Sequence, residues 1–566
     1  MKRHLLATFV AAALCGSAAQ AAVITPVNLD PANQGLNDPT PRAPEGSNPG
    51  TTVGEQRRIA YQFAADLWGS TLRSDVEIRV GASFQPLACT ATGGTLGSAG
   101  PWWIWQSPDF PVAGAWYHIA LADAIAGSNL MLGDPAYTAP DDIEINSRFN
   151  ANLGSPGCLE NSGWYYGLDG NTPAGRISFL DVVMHEIGHG LGFSGFVGYT
   201  SGVLGERVGT PGVNDVYTHN AFDNFKALRF DDAAMSNADR AAALRTPGRT
   251  VWDGAKVTGN VPLVLDQLVL LRASGALTAD YGYGTASFGP AATPANFSGA
   301  LALANDGAGP DSADACDPLP TGSLSGKIAF INRGGPPAPA PACGFEKKAV
   351  NAESAGAIAV IIGNVATSST PGTPPGMADD PTLTANVPTL SLNLADANAV
   401  RAALAGGAVN VALGPVPGRL AGADVAGRAQ LYTPTTVAGG STFSHFDTAL
   451  TPNALMEPAI NDSLASNVMV DLTLDLFADE GWSVNTGNAR IGRCETALPL
   501  SQDGGLISGA NIRAHDRLCR ATSANHGQYV NCMKTQADAL QSLGLINAYQ
   551  RASVVKCAAQ NSKPGN

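Results

Sequence analysis

The stretch FLDVVMHEIGHGLGFSGF, residues 179–196, limits what this chain can be more than any other feature. His185 and His189 stand four apart, so on an α-helix their imidazoles share one face and can grip one cation, with Glu186 beside them to handle a proton. The spacing predicts a helix over 178–192. Ser178 can cap it with Asp181 three residues on, and Phe179, Val183 and Ile187 form its core stripe. Two imidazoles do not complete a catalytic zinc site, which takes three protein ligands and keeps one position open for water. The third ligand must come from elsewhere, and where it lies decides how the chain is divided.

The opening residues MKRHLLATFVAAALCGSAAQA carry Lys2 and Arg3, a short apolar run, and small residues at Ala19 and Ala21. They read as a secretory signal peptide cut after Ala21, too short to span a membrane. No later apolar run approaches the ~20 residues a membrane helix needs. The mature chain is therefore expected to be secreted, or periplasmic, with no membrane span. Nine cysteines less Cys15 leave eight, an even number without a CxxC pair, which favours disulfides over thiolate zinc sites. With 14% charged residues, a formal charge of −14 and no basic run, nucleic acid is not an expected partner.

Before the zinc-type helix, VGEQRRIAYQFAADLWGSTL predicts a helix, DVEIRVGASF a strand, AWYHIALADAIAG a second helix and DDIEINSRFN another strand. From about 262 the texture changes. SGKIAFINRG, AGAIAVIIGN and VPTLSLN are buried-strand patterns, with the helix-like FEKKAVNAESAG between them and DANAVRAAL after them; they predict a compact module over 262–425. The tail from 486 is cysteine-dense, and HGQYVNCMKTQADALQSLGLINAYQRASVVKC reads as two helices meeting near Gly544. Position suggests the pairs Cys89–Cys158 and Cys316–Cys343. A hairpin of the last two helices would join Cys532 to Cys557, and Cys494–Cys519 has the same 25-residue separation.

Five histidines remain as candidates for the third ligand: His118, His219, His445, His515 and His526. His118 sits in the apolar AWYHIALA and suits packing. His219, in YTHNAFDNF, has no glycine turn to bring it back, and the two tail histidines suit structural roles. His445 is different. It stands in STFSHFDTALTPNALMEP, with Met456 eleven residues later and a helix-like LTLDLFADEGW beyond.

With these residues in view the chain resembles the metzincin zinc proteases. Their string runs on as HExxHxxGxxH to a third His, followed by a tight turn that holds a methionine beneath the metal and by a C-terminal helix. Here the last position of that string is Gly195. The arrangement is similar to the leishmanolysin type, in which an insertion separates the glycine from the third His. The resemblance implies that His185, His189 and His445 bind one catalytic Zn2+. It also implies that Glu186 serves as general base and then acid toward a zinc-activated water, and that Met456 floors the site. It leaves calcium open. The alternative ligand is Glu206, on the pattern of thermolysin-like enzymes; those keep the ligand on a following helix, and SGVLGERVGT is too rich in glycine to suggest one.

The module resembles a protease-associated (PA) domain in the order of CDPLPTGSLSGKIAFINRG, CGFEKKAVNAESAGAIAVIIGN and NVPTLSLNLADANAVRAAL. Such a resemblance implies peptide binding or control of substrate access, without catalytic residues. Inserting a prefolded domain costs little, because loop-closure entropy grows only as the logarithm of length. The expected fold is α+β. A metzincin-like domain (22–261 and 426–485, the latter with the third His and Met-turn) follows the signal peptide 1–21 and is split by a β-rich α/β PA domain (262–425). A small helical, disulfide-containing tail (486–566) ends it. The expected function is a secreted zinc endopeptidase acting on protein or peptide substrates. The alternative is an exported peptide-binding or adhesion protein using the PA domain on a degenerate protease scaffold; the intact Glu186 counts against it. The sequence leaves oligomeric state, specificity, latency and the tail's role open.

Overall fold

The computed structural model describes residues 20–132, 142–198, 205, 214–334, 343–461 and 463–561. The expected signal peptide lies outside them except for its last two residues, and Glu206 lies outside them as well. The chain divides into two compact units, one of Met1–Asp266 with Leu420–Asn566 and one of Gln267–Arg419.

The first unit is built on a four-stranded sheet. Strands β1 (Ile24–Asn28), β2 (Ile78–Gln85) and β4 (Ile145–Asn150) run parallel, with Ile24 opposite Ile78 and Val80 opposite Ile145. Strand β3 (Gly97–Pro101) closes one edge antiparallel to β4, Gly97 facing Phe149. Helix α1 (Val53–Thr71) starts at a capping box in which Thr52 and Glu55 satisfy each other's backbone N–H groups. It buries Ala60, Phe63, Ala64, Leu67 and Trp68. The Trp68 indole donates 3.0 Å to the Met184 carbonyl, which ties α1 to the helix of the HEIGH segment.

That helix, α2 (Phe179–Leu191), begins at Ser178, whose hydroxyl accepts from the Asp181 N–H at 3.1 Å. Phe179 anchors it in a cluster of Phe84, Phe149, Trp164 and Tyr166, with ring centroids 5.0–5.5 Å from its own. After the second unit the chain returns to form α3 (Thr473–Glu480).

One helix expectation needs correcting. Within AWYHIALADAIAG only Ile119–Ala126 is helical; Trp116–His118 is a strand paired antiparallel with Ile104–Gln106. Three successive residues with bulky rings favour a pleated pairing over a helix turn.

The tail is not helical throughout. It opens with a two-stranded ribbon, Asn488–Ile491 and Cys494–Pro499, followed by helices Ser508–Thr522, His526–Ser542 and Ala548–Gln560. It packs against α1, where Phe63 meets the His515 ring at 4.8 Å. Cys89–Cys158 and Cys316–Cys343 are bonded. The two tail pairings expected from spacing are wrong: the bonds are Cys494–Cys557 and Cys519–Cys532. Cys519 ends one helix and Cys532 lies in the first turns of the next, so the short turn between them brings them together. The last helix sets Cys557 against the ribbon instead.

In the second unit an eight-stranded mixed sheet has a parallel centre of Ser298–Leu303, Ile328–Asn332, Ala359–Gly363 and Thr389–Leu392. Helix Phe345–Ser354 is the crossover between the parallel strands Ile328–Asn332 and Ala359–Gly363, and helix Leu394–Gly406 leads from Thr389–Leu392 to the antiparallel strand Val409–Leu420. The expected borders at 262 and 425 shift to 267 and 419, because helix Ala255–Val264 buries Val257 and Val261 in the first unit's core.

Glu480, the last residue of α3, is 1% exposed, yet neither carboxylate oxygen has a hydrogen-bond partner. Burial first, then Asp215 and Asp479, pushes its pKa well above the ordinary carboxylate value. The unfolded chain ionises near its normal pKa of about 4.3, whereas the folded one holds its proton, so this group subtracts stability as pH rises. Glu480→Gln is expected to gain on wild type in melting temperature over the pH range from about 4 upward. A difference that stays constant over that range would contradict this account.

Candidate metal centre

The three histidines singled out in the sequence meet at one point. The Nε2 atoms of His185 and His189 lie 3.0 Å apart, and each is 3.2 Å from Nε2 of His445. They form the one group of three or more His, Cys, Asp or Glu side chains suited to a metal ion among the described residues. His185 and His189 share a face of α2 because they are one turn apart. His445 arrives on the returning chain, where its carbonyl accepts from Tyr432 N–H at 2.9 Å.

Their outer nitrogens decide the chemistry. Nδ1 of His185 donates to the Leu455 carbonyl at 2.8 Å, Nδ1 of His189 to Phe193 O at 2.7 Å, and Nδ1 of His445 to Ser441 O at 2.8 Å. With each ring proton committed outward, the three Nε2 lone pairs converge with no hydrogen between them. All three rings are buried, and burial holds His185 near pKa 4, His445 near 3 and His189 well below its ordinary value, so none supplies a proton to relieve the contact. A cation is what such a cluster fits. Tetrahedral zinc with Zn–N bonds of about 2.0–2.1 Å sets its ligand nitrogens about 3.3 Å apart, close to the spacing found here.

The carbonyls that orient these rings are themselves held. Asp471 accepts from Leu455 N–H at 2.6 Å, which anchors the residue whose carbonyl His185 uses. Phe446 N–H donates 2.9 Å to the Met456 carbonyl, joining the His445 segment to the turn that carries the methionine. Met456 is fully buried, and its Sδ lies 2.8 Å from where a Cβ at position 188 would stand. Gly188, between the two helix histidines, is thus the residue that lets the methionine come up beneath them.

Glu186 lies on the cleft side of α2. It packs against Gly97 of β3, where any side chain would collide with its carboxylate. Its Oε2 is buried without a partner. Burial pushes its pKa up to about 8, while the Ala99 N–H and, more weakly, Arg148 pull it back. A dication on the neighbouring imidazoles would lower it further.

These residues floor a cleft of about 800 Å³ walled by Gly93–Ala99, Ser194–Phe196, Gly439–Ser441 and Glu457–Ile460. The other described histidines are occupied elsewhere. His219 Nδ1 sits 2.6 Å from Asp231 Oδ2, and His515 packs on Phe63. Sequence reasoning assigned His118 to packing and did not single out Ser194. Their side chains are 2.7 Å apart, with Ser194 on the cleft wall and His118 buried behind it, and no local pattern marks a pair so distant in sequence.

No curated protein matches the chain. Partial likenesses to solved structures include a zinc aminopeptidase from Bacillus subtilis (22% identity, 29% of this chain and 37% of that one, TM-score 0.19). Another is a peptidase precursor from Shewanella amazonensis (17% identity, 26% and 34%, TM-score 0.20). A third is a psychrophilic subtilisin-like protease from an Antarctic Pseudoalteromonas (20% identity, 27% and 34%, TM-score 0.19). The matched part thus spans little more than a third of those chains, and overlaps of this quality carry no argument about chemistry. Residues 289–400, inside the Gln267–Arg419 unit, match the PA domain family.

Proposed function

We propose that this protein is an exported zinc endopeptidase with a metzincin-type site split by its PA domain. The observation that carries the reading is the convergence of three Nε2 lone pairs whose ring protons are all committed outward. His185, His189 and His445 would hold the zinc, and Met456 would support it from below. Zinc held there supplies Lewis acidity to a water and to the scissile carbonyl. Glu186 then does the proton work. Its buried Oε2 takes a proton from the attacking water and returns it to the leaving nitrogen. The buried position of that carboxylate, with Oε2 left without a hydrogen-bond partner, supports a base rather than a structural group. Four disulfides support folding in an oxidising compartment, in keeping with export. The volume of the cleft, about 800 Å³, and the PA domain suit a protein or peptide substrate.

Elemental analysis of the purified mature protein is expected to find one zinc per chain. Casein cleavage should stop on chelation and return with zinc, and an N-terminally acetylated peptide should be cut internally. Bound zinc without hydrolysis would favour the peptide-binding alternative; cleavage restricted to free N-termini would replace the endopeptidase reading with an aminopeptidase one.

A further inference from the structure

The cleft wall beside the three histidines carries the Ser194 hydroxyl. Ser194 Oγ is 2.7 Å from Nε2 of His118, a ring that is 1% exposed and packed on Phe196 at 4.9 Å between centroids. Ser194 itself is only partly buried and faces the cleft. The other nitrogen of His118, Nδ1, is buried and has no hydrogen-bond partner.

That orphan nitrogen fixes the direction of the pair. A buried N–H without an acceptor is among the rarest defects in folded proteins, whereas an under-used acceptor is better tolerated. The proton therefore sits on Nε2, and His118 donates to Ser194 Oγ. The serine's own hydrogen is not spent on the ring. It is free to be given to something in the cleft.

The hydroxyl is also held still. Ser194 N–H donates to the Gly192 carbonyl at 2.6 Å, Gly195 N–H to Ser444 Oγ at 3.2 Å, and Phe196 N–H to Asp215 Oδ2 at 3.1 Å. The carbonyl of Phe193, the residue just before, is the one that orients His189. A donor fixed in this way costs nothing to organise when a partner arrives.

We infer that Ser194 donates its hydroxyl hydrogen to a carbonyl oxygen of the peptide bound in the cleft, and that His118 is the positioning residue that frees and aims it. This rests on the peptidase reading above. It also explains why an imidazole with one unsatisfied nitrogen is kept in a packed core, where a phenyl ring would fit the same aromatic contact without that cost.

The test uses the full mature protein, zinc-loaded, with quenched-fluorescent casein. Ser194→Ala is expected to lose roughly ten- to a hundred-fold in kcat/KM, the loss typical of one directed hydrogen bond, with zinc per chain unchanged. Ser194→Thr, which keeps the hydroxyl, should retain most activity. His118→Phe should lose less than Ser194→Ala and should not fall in melting temperature. In the double variant it should add nothing to the serine loss, because His118 acts only through that hydroxyl. Independently of turnover, ¹⁵N NMR of the wild-type protein should show His118 as the Nε2–H tautomer. Wild-type kcat/KM in Ser194→Ala, or an Nδ1–H tautomer at His118, overturns the inference alone. A zinc-loaded wild type that does not cleave casein overturns the peptidase reading, and the inference with it.

Discussion

Glu186→Ala is expected to keep its zinc and to lose about 100- to 10,000-fold of its peptidase rate, the range typical for removing a general base. The two parts of that result separate because the carboxylate is not among the three converging side chains; their Nε2 atoms are within 3.0–3.2 Å of one another without it. The other carboxylate lining the described cleft, Glu457, accepts from the Ala454 N–H at 2.9 Å. Zinc content by elemental analysis and initial rates on casein measure both halves. Turnover near wild type would remove Glu186 from the mechanism.

The second large effect is expected from His445→Ala. Two imidazoles one turn apart on α2 would remain, and the positions that His445 left would fill with water. Metal affinity should fall steeply, with activity following it, because an ordered three-ligand site is what makes the bound metal an effective Lewis acid. His219→Ala is the control. Its Nδ1 is 2.6 Å from Asp231 Oδ2 and its Nε2 3.2 Å from an Arg229 Nη1, so that ring is engaged away from the centre. After exhaustive dialysis the control should keep its zinc and His445→Ala should not. The reverse pattern would mean that the three-histidine cluster is not the metal site.

How much of this was legible beforehand differs from residue to residue. The α2 helix was readable because its evidence is local. A cap at Ser178, an apolar stripe and two histidines four apart all express one periodicity. Trp116–His118 was misread as helix because three residues are too few to show a strand period, and the apolar helix Ile119–Ala126 follows them directly. The tail disulfides failed for a related reason. Equal separations along the chain say nothing about which face of a helix a cysteine occupies, and Cys557 faces the ribbon that carries Cys494. Glu206, the rival ligand, lies outside the described residues, so the case for His445 rests on the geometry of the cluster itself.

The sequence by itself determined a helix presenting His185, Glu186 and His189 together, a separate module matching the PA family, and a short choice of third ligands. Helix spacing, strand patterning and residue chemistry are properties of neighbours, and they survive without knowledge of the rest of the chain. Only the tertiary structure decided that His445 meets His185 across 260 positions. It also decided that the carbonyls of Leu455, Phe193 and Ser441 turn all three lone pairs inward, and that His118 and Ser194 come together across 76 positions. Those contacts depend on the path of the backbone through a packed core, where close packing sets which distant groups touch. No periodicity within either partner's own segment carries that information.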